Sequence, residues 1–174
     1  MHGIGLSQSI PLFLQRMETM DFFNQIRDGN LEAIRKSMET QPDLVHARDQ
    51  RGSSPLIMAA YYNHEEVVDE LIDKGAPVDD RDGSGNTALM GVCFKGYEGM
   101  ARRLVAAGAD VNARNGMGGT CLIFAVTFNR IGIARLLVEC GADVQALDAQ
   151  GHSALYYART QGLDSLLPLL EHKS

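Results

Sequence analysis

The chain contains no tryptophan, only three cysteines, and only five Tyr and six Phe among its 174 residues. Each shortage excludes something. Cys93, Cys121 and Cys140 are odd in number and show no CxxC spacing, which argues against a disulfide framework or a thiolate metal site and for reduced thiols. No apolar run approaches the length of a membrane span. Met1 to Leu14 is mildly apolar, but it lacks a basic start and is interrupted by Ser7, Gln8, Ser9 and Pro11, unlike a signal peptide. Basic residues are also in deficit. The formal charge is −6, with no concentrated basic footprint of the kind nucleic acid requires. A cytoplasmic protein that binds neither nucleic acid nor membrane is expected.

What the chain has in abundance is regularity. Gly52, Gly85, Gly118 and Gly151 are 33 residues apart without a slip, as are Leu56, Leu89, Leu122 and Leu155. Gly75, Gly108 and Gly141 keep the interval, as do Leu71, Leu104, Leu137 and Leu170. Asp49, Asp82, Asn115 and Asp148 form a fifth column. Five columns at one period mark a stack of equivalent structural units.

Each unit has a physical reading. Ser54, Thr87, Thr120 and Ser153 stand before an apolar run, where a hydroxyl accepts a bond from an orphan amide of the first helical turn. Pro55 follows in one unit, at the helical position where a missing N–H does no harm. The short first helix carries small residues, Ala59, Val92, Ala125 and Ala158, where neighbouring helices approach closely. It ends at Asn63, Gly96, Asn129 and Gly162, residue types that tolerate a left-handed conformation. A second, amphipathic helix follows, with Val67, Val68, Leu71 and Ile72 on one face and Glu66, Asp69 and Glu70 toward water.

Gly85-Asn86-Thr87-Ala88-Leu89 and Gly108-Ala109-Asp110-Val111-Asn112 carry the signature that resembles the ankyrin repeat. The resemblance implies an all-α fold, a solenoid of stacked helix-turn-helix units joined by β-hairpin-like loops. It covers residues 20–174 as a capping unit (20–47), three repeats (48–80, 81–113, 114–146) and a closing unit (147–174). Within the first cap, a helix is expected over Phe22–Arg27 and a second over Leu31–Thr40. Pro168 should delay or bend the last helix, and Glu171 replaces an apolar residue because no further repeat covers that face. Residues 1–19 have no place in the period, so a poorly ordered extension is expected there. Where the family usually has histidine, this chain has Ile57, Met90, Ile123 and Tyr156.

No constellation resembles an active site, and no cofactor or metal is expected. Gly83-Ser84-Gly85 and Gly116-Met117-Gly118-Gly119 lack the Lys-Ser or Lys-Thr of a phosphate loop and fall in register as hairpin turns. His2, His46, His64, His152 and His172 show no metal-ligand pairing; His64 suits a structural role beside a turn, and His152 an exposed hairpin tip. Glu65-Glu66 and Asp79-Asp80 map to a helix start and a loop, not to a shared concave site. Cys93 and Cys121 have no histidine in their own units to activate them. Asn112 is similar to the ankyrin asparagine modified by eukaryotic hydroxylases, yet a role in its own turn accounts for it equally.

The resemblance further implies a concave groove that binds another protein. Register places Tyr61, Tyr62, Phe94, Lys95 and Phe128 along its first helices, with Arg51 and Met117 on the turns. Four of the aromatic residues fall in six positions that the scaffold does not require to be apolar, and such rings dominate interface hot spots. The competing reading is that they only seal the inner helices. A monomeric protein-protein interaction module, acting as a cytoplasmic adaptor or regulator, is expected. Small ankyrin-only chains also resemble bacterial members, so an immunity protein or enzyme-associated accessory protein is the alternative.

Overall fold

The first helix of each repeat starts at a single hydroxyl. The computed structural model describes residues 11–171. Among these, α1 (Leu12–Asp28) pairs with α2 (Leu31–Thr40), and α3 (Pro55–Tyr61) with α4 (Glu65–Asp73). The series continues with α5 (Ala88–Lys95) and α6 (Glu98–Ala106), α7 (Cys121–Thr127) and α8 (Ile131–Glu139), and α9 (Ala154–Thr160) and α10 (Leu167–Glu171). Ser54, Thr87, Thr120 and Ser153 each accept a bond from the amide three residues on, at 3.2–3.3 Å. That bond satisfies a donor which the helix itself leaves unpaired.

The turns close as their residue types require. Asn63 and Asn129 have φ of 60° and 55°, and Gly96 and Gly162 have φ of 86° and 67°. In the left-handed region a side chain crowds its own backbone, and asparagine and glycine bear this best. At the hairpins, Asp82 Oδ1 accepts from the amides of Ser84 and Asn86. Asp49, Asn115 and Asp148 repeat the arrangement, which explains that column as turn chemistry. Antiparallel bridges join Arg114 to Thr120 and Leu147 to Ser153.

Stacking then builds one continuous core. α3 packs on α5, α5 on α7 and α7 on α9, with Ala59, Val92, Ala125 and Ala158 fully buried at the contacts. Leu71, Leu104 and Leu137 are likewise fully buried, each worth about 1.5–3 kcal/mol. Units are also tied by polar links. Gly83 N–H donates to Arg51 carbonyl and Gly116 N–H to Ser84 carbonyl, both at 2.9 Å, so the glycine clusters spend amides on the neighbouring hairpin. Asn112 donates to Gly141 carbonyl at 3.0 Å and accepts from Asp143 N–H at 2.7 Å, a full inter-repeat role. On the far side, Arg103 bridges Glu65 and Asp69 of the preceding unit, while Asp80 pairs with Arg48.

The two ends depart from the regular helix pair in opposite ways. Ahead of the helix expected over Phe22–Arg27, α1 begins at Leu12 and runs unbroken into the first cap. Its last turns are anchored by Phe22, Phe23 and Ile26 in the core, and helix propagates from an anchored turn more readily than it nucleates. Residues 1–10, with His2, and residues 172–174, with His172, lie outside the described residues. At the other end, Asp164–Leu166 form a 3₁₀ turn and α10 starts only at Leu167, so Pro168 sits in the first turn, where it is tolerated. Glu171 pairs with Arg159 at 2.8 Å. No described helix is long and apolar enough to cross a membrane.

Candidate partner-binding groove

The first helices and hairpin tips line one face, and the residues singled out from the sequence lie along it. Tyr61, Tyr62, Phe94 and Phe128 are 38–44% exposed and Met117 is 66% exposed. The row is nonetheless an ordered surface. Phe94 and Phe128 meet edge to face with centroids 4.6 Å apart, and Tyr61 and Tyr62 do so at 5.6 Å, the geometry that ring quadrupoles favour. Lys95 Nζ lies 4.8 Å from the Tyr61 ring centroid and 5.7 Å from that of Tyr97, within cation–π range. Arg51 is exposed at its hairpin tip.

Two hollows of about 280 Å³ open along this face. One brings together Arg51, Tyr61, Tyr62 and Phe94, with Met58 and Phe124. The other joins Met117 and Phe128, with Phe124 and Tyr157. A larger cavity of about 650 Å³ lies at the N-terminal end, between Met20, Phe23 and Arg27 of α1 and the Arg48–Arg51 turn. Sequence reasoning missed several of these participants. Met58, Gly91, Phe124 and Tyr157 form a column that changes residue type at every repeat, unlike the constant columns of the scaffold. That variability was the available signal.

Polar contacts beneath the row hold it in place. Arg130 donates to Phe94 carbonyl at 3.1 Å from one terminal nitrogen, and Gln161 donates to Thr127 carbonyl. His64 Nε2 donates to Arg27 carbonyl at 2.8 Å, the same device two units earlier. His152 departs from the exposed position expected of it. Its ring is half-buried and stacked on Tyr156 with centroids 3.9 Å apart, because Tyr156 occupies the slot that holds buried aliphatics in the other repeats. Tyr157 O–H donates to Asp148 at 2.6 Å. This bond and burial push the Tyr157 phenol up to about 12. Burial works to raise the Asp148 carboxyl, but bonds from Tyr157 and from the His152 and Gln150 amides outweigh it and leave the pKa lowered. Cys93 is fully buried with its thiol pushed well up, by burial and by Cys121 beside it, the reverse of an activated thiolate.

A family model described as "Ankyrin repeats (3 copies)" matches residues 23–115, and one described as "Ankyrin repeat" matches residues 117–149. The chain belongs to the ankyrin-repeat family. Its repeats make it a protein-protein interaction module, and the stacked helix pairs above are the family's architecture. No curated protein matches the chain. Among the described residues of this ankyrin-repeat protein, three of the four carboxylates first weighed for acid-base chemistry are held in scaffold contacts. Glu65 binds Arg103, Asp80 binds Arg48 and Asp79 accepts from Asp110 N–H.

Proposed function

We propose that this ankyrin-repeat protein is a monomeric cytoplasmic adaptor or regulator that docks one partner protein on the face lined by Tyr61, Tyr62, Phe94, Lys95 and Phe128, with Arg51 and Met117 at its edge. The observation that carries this reading is the ordered aromatic row itself. Its rings are more than a third exposed, while the scaffold is already closed beneath them by fully buried Leu56, Leu89 and Leu122 at 1% exposure. Rings that leave water on association supply large contact area at low ordering cost. Preformed ring-ring contacts reduce that cost further.

The test is affinity capture from native cell extract with wild type and Phe94→Ala/Phe128→Ala, each checked for folding by circular dichroism. A partner held by wild type and lost by the folded variant supports docking on this face. Equal capture by both, or unfolding of the double variant, overturns the assignment of these rings to an interface.

A further inference from the structure

α1 is longer than its place in the stack requires. The first helices of the other units run seven or eight residues, whereas α1 runs 17. Its extra turns extend a stripe in which Leu12, Arg16, Met20, Phe23 and Arg27 follow one another at three- and four-residue spacing, so they share one helix face. That face forms one wall of the cavity of about 650 Å³ at the N-terminal end, and the Arg48–Arg51 turn forms the other. Of the apolar residues in the stripe, Phe23 is buried in the core, but Leu12 and Met20 are exposed.

The cavity is cationic in an acidic protein. Arg16, Arg27, Arg48 and Arg51 line it against a single carboxylate, Asp49, although the whole chain carries a net charge of −6. Asp49 serves its own hairpin, where Oδ1 accepts from the amides of Arg51 and Ser53. Arg48 is committed to Asp80 at 2.8 Å and to the carbonyls of Gly52 and Arg81. Arg27 is held more loosely, by Asn24 at 2.8 Å and Asp28 at 3.8 Å. Arg16 and Arg51 form no ion pair among the described residues. Two facing walls thus bring cations to one space, where they repel one another and an anion between them removes that cost. An apolar helix laid on the stripe would instead bury Arg16 and Arg27 without counterions. A phosphate monoester brings about −1.5 to −2 charges and three acceptor oxygens, enough for guanidiniums from both walls, which match its oxygens in pairs. The volume also falls within the range of about 300–1,000 Å³ usual for small-molecule sites.

We propose that this cavity is a binding site for a small organic phosphate monoester, held between α1 and the first hairpin. The phosphoryl oxygens accept from Arg16 and Arg27 on one wall and from Arg51 on the other, and the organic group lies on Leu12 and Met20. Arg48 fixes the hairpin wall through Asp80. The site does not rest on partner docking, and it meets the neighbouring hollow of the aromatic face only at Asp49 and Arg51, which line both.

The probe is phenyl phosphate, titrated into the full chain by isothermal calorimetry, with inorganic phosphate and singly charged phenyl sulfate as comparisons. Wild type should bind phenyl phosphate saturably, with a Kd of about 1 mM or tighter, and both comparisons more weakly. The monoester takes its second charge near pH 6 while the guanidiniums stay charged throughout, so affinity should fall between about pH 7 and pH 5. Arg16→Gln/Arg51→Gln should weaken binding at least roughly tenfold. Arg102→Gln/Arg135→Gln removes the same charge from exposed positions on α6 and α8 and should leave binding unchanged. Met20→Ala should narrow the preference for phenyl phosphate over inorganic phosphate. Circular dichroism checks that each variant is folded. No saturable binding, or equal binding by wild type and the folded Arg16/Arg51 variant, overturns the site. An equal loss in the Arg102/Arg135 variant overturns it too, because net charge alone would then account for the effect. Inorganic phosphate held as tightly as phenyl phosphate overturns the organic ligand, and a phosphoserine peptide bound where phenyl phosphate is not overturns the small-molecule one.

Discussion

Replacing Thr87 with Ala tests whether helix caps, repeated unit by unit, hold this solenoid together. Thr87 is 1% exposed and accepts the amide of Met90, itself 1% exposed, at 3.3 Å. Alanine leaves that amide without a partner and without water. Cap removal generally costs about 0.5–2 kcal/mol, and burial of the freed donor places Thr87 in the upper half, about 1–2 kcal/mol. For a domain of this size, 1 kcal/mol corresponds to about 2–4 °C, so the melting temperature should fall by about 2–8 °C. Thr87 lies in the middle of the stack, and its loss weakens the interfaces on both sides of α5. Thr87→Ser is the internal control, because Ser54 and Ser153 already cap in this column. The assay is thermal and urea unfolding by circular dichroism, with the urea slope checked for constancy. A Thr87→Ala melting point within about 1 °C of wild type, or a Thr87→Ser variant as unstable as Thr87→Ala, would refute the reasoning.

Stability should also depend on pH through the Tyr157–Asp148 pair. The Tyr157 phenol is raised to about 12, so its contribution is complete below the unfolded value of about 10 and is lost as pH rises from there toward 12. The Asp148 carboxyl is lowered, so its contribution holds above about pH 4 and is lost in acid. Tyr157→Phe is expected to lower the neutral plateau by about 1 kcal/mol and to flatten the alkaline fall; an unchanged urea-midpoint profile between pH 7 and about 11.5 would contradict this. At the turns, Gly96→Ala should destabilise by about 1–2 kcal/mol, since φ is 86° and the new Cβ would lie 2.7 Å from Arg130 Nε. Asn129→Gly at the equivalent turn should shift stability by less than about 0.5 kcal/mol. Equal effects of the two substitutions in chemical denaturation would remove the left-handed turn as the cause.

The elements readable from sequence are those decided within a few residues. Thr87 with Met90, Asp82 with Ser84 and Asn86, and Asn63 at its turn act over four positions or fewer, so residue type and spacing suffice to place them. The 33-residue period added the stacking order, because equivalent positions in successive units must become neighbours. It also put the aromatic row on one face. It was silent on Leu12–Thr19, which lie outside the period and become helical by continuation from an anchored turn. It misplaced His152, whose burial comes from stacking on Tyr156. The hollow beside Tyr61 and Phe94 escaped notice because its walls come from α3, α5 and α7 together.

The sequence alone therefore determined the repeat, its caps, its left-handed turns and the face on which exposed rings stand, since these follow from local backbone chemistry repeated at a fixed interval. Tertiary structure decided which of those rings touch, which ring Lys95 lies over and where the face opens. Those properties depend on side-chain directions across units some 33 residues apart, which a column of letters orders but does not orient.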